Sequence, residues 1–413
     1  MKRSLPALVE SALYFLLVMV FLSAGLMWCA VHTPLRPAWL VGAMSHPWIL
    51  NQTLTGVAQP LEIKPPAIAS ILDGTWQSSV AMRFDAGFYG REALVRWTGE
   101  GFFRAFGRPA FRVPDLTVGK GDSIISTCFL SELFLRRCSK ESLKGMVTAI
   151  KTIQSECKSR GQAFVLVITP TKVGLCPEAV PDVWLARRDP RPRARDLLLE
   201  LLQGSGVPVI DGMAVVKKAE ERGDIVGPLC AVGGIHWTSE TALYAANAVM
   251  EELARQDVAV RPLKVASLEI LDTPQGYDAD VLGLMNLALP WRYPSPKLIL
   301  ERESEKSEAK PDIVFVGGSF TTAIAELFGA SDQFSSISYF FYLKDSKHEV
   351  ASGLMRKIRS PVSSIDYEKE VFSARALVLE INEASIPSQH VQEFASEIAE
   401  LSGVPQGDSI PNL

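Results

Sequence analysis

Phe164-Val165-Leu166-Val167-Ile168-Thr169 has no polar residue before its last, and no other stretch of this 413-residue chain constrains the fold as tightly. A strand with one wet face alternates apolar and polar side chains. A run without alternation describes a strand covered on both faces, the usual state in a parallel sheet. The preceding stretch can supply one cover. Ser139 can cap a helix in which Leu143, Met146, Val147, Ile150 and Ile153 share a face, and Gly161 can stop it. A helix leading into such a strand is half of an α/β repeat.

The same logic extends along the chain. Ile313-Val314-Phe315-Val316 reads as a second buried strand, Gly317-Gly318 as a tight turn, and the residues after Ser319-Phe320 as a helix. Val207 to Asp211 is a short strand ending in an acid, Ala376 to Ile381 is the last clear strand, and Leu116 to Asp122 is a strand entering a turn. The expected domain is a three-layer α/β sandwich with a mostly parallel central sheet, over residues 116–400. Residues 67–115 read as a helical extension, and 401–413 as a frayed tail.

The N-terminus sets the expected compartment. Residues 11–31 form an uncharged apolar run, close to the ~20 residues that cross a bilayer as a helix. A cleaved signal peptide competes, but its apolar core is ordinarily ~7–15 residues. Lys2 and Arg3 precede the run and Arg36 is the next basic residue, so residues 1–10 are expected in the cytoplasm. The chain after the span then lies outside, as a single-pass inner-membrane protein with its main domain in the periplasm. Residues 32–66 are rich in proline and read as a tether. A net charge of −4 is too mild to imply nucleic acid. Of six cysteines, Cys29 lies in the span, while Cys128, Cys138, Cys157, Cys176 and Cys230 lie beyond it, an odd number whose pairing spacing alone leaves open. No pair has zinc-ligand spacing, so no metal is expected.

Ser319 stands where a strand hands over to a helix, so unpaired backbone N–H groups and the helix dipole favour a developing oxyanion there. A serine before a helix is also an ordinary cap. A nucleophilic serine needs a base, and imidazole is the usual one. Among five histidines, His32 and His46 fall in the tether, and His348 and His390 in polar surroundings. His236 instead follows Gly233-Gly234 and precedes a helix capped by Thr238 or Ser239, with Ala242, Ala245, Ala246, Val249, Met250 and Leu253 as its buried face. Ser319 and His236 are therefore the expected pair. Five arginines, Arg187, Arg188, Arg191, Arg193 and Arg195, fall within nine positions. Such a run is ordinarily a solvated loop, and the sharper reading is a contact for an anionic polymer or lipid headgroups.

These residues resemble a family. His236-Trp237-Thr238 with its alanine-rich helix is similar to the Asp-x-His-Trp motif of the alginate O-acetyltransferase proteins AlgJ and AlgX, which have SGNH-hydrolase-like domains. Gly318-Ser319-Phe320 is similar to that family's Gly-x-Ser-Phe/Tyr motif and follows the histidine, as it does there. Phe88-Tyr89-Gly90-Arg91, Val118-Gly119-Lys120, Pro170-Thr171-Lys172 and Leu379-Glu380-Ile381-Asn382-Glu383 resemble further segments in the family's order. The resemblance implies an acetyl-serine on Ser319, His236 as base, and support from Gly317, Gly318, Phe320 and Trp237. It also implies a membrane-bound O-acyltransferase (MBOAT) partner, an exopolysaccharide such as alginate or cellulose as acceptor, and no soluble cofactor. One position departs: the family's acid, two before the histidine, is Gly234 here. Asp211, at a strand end, is the candidate substitute. Without an acid the chain reads as a polymer-binding scaffold, and with water as acceptor it reads as an SGNH esterase.

Overall fold

A computed structural model describes residues 91–110, 115–134, 138–302 and 310–401, with a few positions between 70 and 78. The anticipated span at 11–31, the tether at 32–66 and most of the tail lie outside the described residues. Among the described residues no helix is long and apolar enough to cross a membrane.

The chain divides into two compact units, one taking in residues up to Val113 together with Leu282–Pro290, the other Pro114–Val281 and Trp291–Leu413. In the first, helix α1 (Arg91–Phe106) holds the 282–290 segment. Arg96 Nη1 donates to the Leu287 carbonyl at 3.2 Å, and Leu289 N to Glu100 Oε2 at 3.3 Å. A side chain at Gly99 would meet the Asn286 carbonyl at 3.1 Å.

The second unit opens with a small antiparallel pair, β1 (Leu116–Val118) and β2 (Ile124–Ser126), followed by α2 (Thr127–Phe134) and α3 (Lys140–Ser159). Next come β3 (Ala163–Thr169), α4 (Ala194–Leu202), β4 (Val209–Asp211), α5 (Gly212–Glu221) and α6 (Ser239–Arg255). A hairpin of β5 (Val265–Leu271) and β6 (Ser295–Leu300) precedes β7 (Asp312–Gly317) and α7 (Thr321–Ser331). The chain closes through β8 (Ser336–Phe341), β9 (Ser346–Ala351), β10 (Leu354–Arg359), β11 (Ala376–Asn382) and α8 (Gln389–Leu401).

The central sheet has seven strands in the order β10-β9-β8-β7-β11-β3-β4. From β8 to β4 every pairing is parallel, while β9 and β10 extend one edge antiparallel, so the sheet is mixed. Alternation across the pleat sorts the core into two layers. Val165, Val167, Ile313, Phe315 and Val378 pack under α6 and α7; Phe164, Leu166, Ile168, Val314, Val316 and Leu379 pack under α3, α4 and α8. The fold is therefore a three-layer α/β sandwich, as the covered strands predict. Parallel strands with helices between them send their C-terminal ends to one edge, where such sheets carry their sites. Ser319 follows β7 at that edge.

Candidate active site

Ser319 is held by a tightly packed turn. The carbonyl of Gly318 accepts from Thr321 N at 3.0 Å, and that of Ser319 from Thr322 N at 3.2 Å, which starts α7 directly after the hydroxyl. Both preceding glycines are required by close approach. A Cβ at Gly317 would lie 2.5 Å from Thr321 Oγ1 and 2.6 Å from Glu380 Cβ, and one at Gly318 would lie 2.8 Å from Tyr342 Oη. Beneath the turn, Glu380 of β11 is buried. Its Oε2 accepts from Gly318 N at 2.6 Å and Thr321 Oγ1 at 3.1 Å, and its Oε1 from Thr169 Oγ1. Burial pushes the Glu380 carboxyl up. Gly317 and Gly318 thus support the site by leaving room, and the Gly318 N–H is already committed to Glu380.

His236 reaches the same hydroxyl. Its Nε2 lies 2.7 Å from Ser319 Oγ. The Phe320 ring packs against the imidazole at 4.6 Å between centroids, and Trp237, buried behind, packs on Phe320 at 6.0 Å. The side chain of Thr238 caps α6, accepting from Thr241 N at 3.3 Å. The loop ahead of the histidine is gathered by one cation, Lys172, which is 2 % exposed. Its Nζ donates to the carbonyls of Ile124 at 2.9 Å, Ala231 at 2.5 Å, Val232 at 3.1 Å and Gly234 at 2.8 Å. Desolvation brings this ammonium down to about 8.

The acid comes from a place the sequence did not mark. Asp280 Oδ2 bonds to His236 Nδ1, and Asp280 Oδ1 accepts from Ile235 N at 3.2 Å. It follows a short 3-10 turn, Gly276–Ala279, in the irregular stretch between β5 and β6. A side chain at Gly234 would meet the Tyr277 carbonyl at 2.4 Å and Asp280 Oδ1 at 3.2 Å. The turn that brings Asp280 therefore fills the space an acid at position 234 would need. Asp211, the expected substitute, stands elsewhere. It caps α5 by accepting from Ala214 N at 3.2 Å and holds Arg195 Nη2 at 2.5 Å, because an acid at a strand end is well placed to cap the helix that follows.

Three further side chains complete the surroundings. Tyr342 Oη packs against the Gly318 backbone, and burial pushes that phenol up to about 12, so it stays protonated at neutral pH. Tyr342 sits past the end of β8 at φ +43°, its N–H donating to the Gly317 carbonyl at 2.8 Å. Tyr277 Oη donates to Glu326 Oε1 at 3.1 Å, and its ring meets the imidazole edge-on at 6.0 Å. Asp278, buried beside them, bonds Ser295 Oγ, and desolvation raises its carboxyl to about 6. No signal of periodicity marks Asp280, Tyr342 or Tyr277 in the sequence; the one hint is an Asp-x-Asp pair after a glycine turn.

The arginine run divides. Arg191 bonds Asp189, with Nε at 3.0 Å from Oδ1, and Arg195 is tied to Asp211 and Asp196, whereas Arg187 and Arg188 are exposed. Arg193 immediately precedes α4. His348 bonds Ser346 on β9, and His390, read above as lying in polar surroundings, is buried, with Nε2 2.9 Å from the Glu380 carbonyl oxygen. Among the described residues no group of three or more metal-ligating side chains converges.

Residues 128–328 match a family described as "SGNH hydrolase-like domain, acetyltransferase AlgX". No curated protein matches the sequence. Among solved structures, the O-acetyltransferase domain of Pseudomonas putida AlgJ is similar at 18% identity, covering 70% of this chain and 99% of that one, with a TM-score of 0.47. Pseudomonas aeruginosa AlgX is similar at 14%, over 68% of this chain and 67% of that one, with a TM-score of 0.41. Bacillus cereus PatB1 is similar at 11%, over 62% and 93%, with a TM-score of 0.39. Likenesses this distant leave the chemistry to be argued from the residues themselves.

Proposed function

Residues 128–328 carry an SGNH hydrolase-like domain of the AlgX acetyltransferase family, and from that premise we propose that the chain transfers acetyl groups to hydroxyls of an exopolysaccharide through an acetyl ester on Ser319. The observation that carries the reading is the unbroken chain of hydrogen bonds from Asp280 through His236 to Ser319 Oγ. A histidine whose second nitrogen is held by a carboxylate keeps one tautomer and gains support for its charged form. Gly234, where the family's acid is expected, is the ground for the scaffold alternative; Asp280 at the ring supports the enzymatic reading over it.

Ser319 Oγ attacks the acyl carbonyl while His236 Nε2 takes its proton, and Asp280 holds Nδ1–H and steadies the imidazolium. The tetrahedral oxyanion develops at the N-terminus of α7, whose dipole favours it, with the protonated Tyr342 hydroxyl packed against the same turn. The donor's leaving group departs with the proton from Nε2, which leaves acetyl-Ser319. A polymer hydroxyl, deprotonated by His236, then attacks that ester, and collapse of the second intermediate frees Ser319. In the esterase variant water replaces the polymer hydroxyl.

The setting is proposed on the N-terminal sequence. Residues 11–31 anchor the chain in the inner membrane with the N-terminus cytoplasmic and the domain periplasmic, where an MBOAT partner would deliver the acetyl group and Arg187 and Arg188 would meet an anionic polymer.

The test is to incubate the full-length chain with a chromogenic acetyl ester and map acetylated peptides by mass spectrometry. The expected adduct is on Ser319 and disappears in Ser319→Ala. A folded wild-type chain that releases chromophore without Ser319 in the acylated peptide, or none at all, would end the acyl-enzyme reading.

A further inference from the structure

We propose that Cys176 and Cys230 form an intramolecular disulfide that ties the segment after β3 to the loop presenting His236. The five thiols among the described residues are all free, and these two share one neighbourhood of the fold. Both line one cavity of about 500 Å³, with Lys172, Val232 and Glu178 also in its wall. Cys230 is buried in the core cluster that includes Leu175 and Trp237, and Cys176 packs against that cluster.

The backbones are fixed as well as the side chains. Cys176 N donates to the Lys172 carbonyl at 2.8 Å, and Lys172 Nζ reaches across to the carbonyls of Ala231 and Val232, directly after Cys230. Cys230 also forms an isolated antiparallel bridge with Trp237, the neighbour of His236. The bond would therefore close the base of the loop whose far end carries the catalytic imidazole. Cys157, by contrast, lies in the opposite core layer.

The two sulfurs have unequal chemistry, which suits thiol–disulfide exchange. The hydrogen bond from Cys230, helped by the charges of Lys172 and Lys217, holds the Cys176 thiol below its ordinary value; burial pushes Cys230 up. Cys176 as thiolate attacks a disulfide oxidant, a protein or small-molecule disulfide, and expels one thiolate of it. Cys230 then loses its proton and attacks Cys176 Sγ of the mixed disulfide, which expels the second. Two protein thiols are oxidised and one oxidant disulfide is reduced to two thiols.

The inference rests on the exported location proposed above, since such bonds persist in oxidising compartments. Two measurements separate the premises. The purified full-length chain is equilibrated in glutathione buffers spanning a periplasm-like and a cytosol-like poise, remaining thiols are alkylated, and peptides are mapped without reduction. The expected product is one crosslink joining the peptides of Cys176 and Cys230, absent in Cys176→Ser and in Cys230→Ser, with Tm several degrees above the reduced chain. A Cys176→Ala/Cys230→Ala double variant should melt with the reduced wild type and still acetylate on Ser319. Crosslinks through Cys128 or Cys138 instead, with Cys176 and Cys230 still alkylated at the oxidising poise, would overturn the bond. Alkylation in intact cells reports on location: a crosslink already present supports both premises. Reduced thiols in cells, from a chain that oxidises readily when purified, would overturn export and leave the pairing standing.

Discussion

At the scale of single residues, the site is decided by which carboxylate meets the imidazole. Asp280 bonds His236 Nδ1, whereas Asp211 is spent on Arg195 and a helix cap. Asp280→Asn should leave the fold in place and slow acetylation of Ser319 by ~10³–10⁴-fold, since an amide holds the wrong tautomer. Asp211→Asn keeps a good capping side chain but leaves the largely buried Arg195 guanidinium with Asp196 as its one remaining carboxylate. It should cost about 1–2 kcal/mol in denaturant unfolding and leave the acetylation rate unchanged. Equal losses of rate in the two variants would remove Asp280 from the mechanism. Asp278, next to it, has a different signature. Its carboxyl is raised from 3.8 to about 6 chiefly by burial, so the folded state favours the neutral acid. That contribution is complete below the unfolded value near 3.8, fades as pH rises through about 6, and stays absent above. The stability of the wild type relative to Asp278→Asn, from urea unfolding at a series of pH values, should fall between about pH 4 and pH 6 and then level off. A flat difference would mean that Asp278 is ionised throughout. Ser319 and His236 were legible in the sequence because each is flanked by its own local signal, glycines before and a capped helix after. Asp280 was not, because it lies 44 residues from the histidine in a segment without periodicity. Only the folded contact selects it over Asp211.

At the scale of elements, two irregular segments fit one another where no strand or helix does. The loop 231–236 is gathered by Lys172, and the turn 276–280 fills the space beside Gly234. Gly234→Asp therefore should not restore the family's motif. Its Cβ would press on the Tyr277 carbonyl, 2.4 Å away, and push out the turn that supplies Asp280. The expected outcome is a loss of acetylation, at least ~10-fold, and a rate at or above wild type would show that the turn yields easily. Lys172→Met leaves the carbonyls of Ile124, Ala231, Val232 and Gly234 without their shared donor in a buried site. An unmet buried acceptor costs ~1–3 kcal/mol, partly relieved by the ammonium's own desolvation, so the net loss should be about 3 kcal/mol. Amide exchange should rise first in residues 230–237; protection unchanged there would locate the role of Lys172 elsewhere. The parallel strands were legible because burial on both faces leaves uninterrupted apolar runs. The added antiparallel strands were not, since β10 carries Arg356, Lys357 and Arg359 on an edge, where charge discourages further pairing and hides the strand from a hydrophobic pattern.

At the scale of the whole molecule, the layering follows from the composition of a few strands, but recognition of a polymer depends on what remains unpaired at the surface. The chain carries a net charge of −4, so attraction of an anionic polysaccharide must come from a local patch and not from overall charge. Five arginines between 187 and 195 offered themselves as that patch, and the fold removes part of it. Arg195 is neutralised by Asp211 and Asp196, and Arg191 by Asp189, while Arg187 and Arg188 stay exposed. Charge reversal of these two, Arg187→Glu with Arg188→Glu, isolates the proposal, because neither side chain belongs to the Ser319 site. Each exposed contact is worth ~0.5–1 kcal/mol, so retention on an immobilised polyuronate should weaken about tenfold at low salt. The difference should shrink toward 1 M salt, where the screening length is ~3 Å. Acetylation of Ser319 by a small chromogenic ester should stay at the wild-type rate, since that reaction asks nothing of the polymer surface. Unaltered retention would return the run to a solvated loop, and equal weakening on a neutral glucan would argue for a local structural change in place of charge recognition.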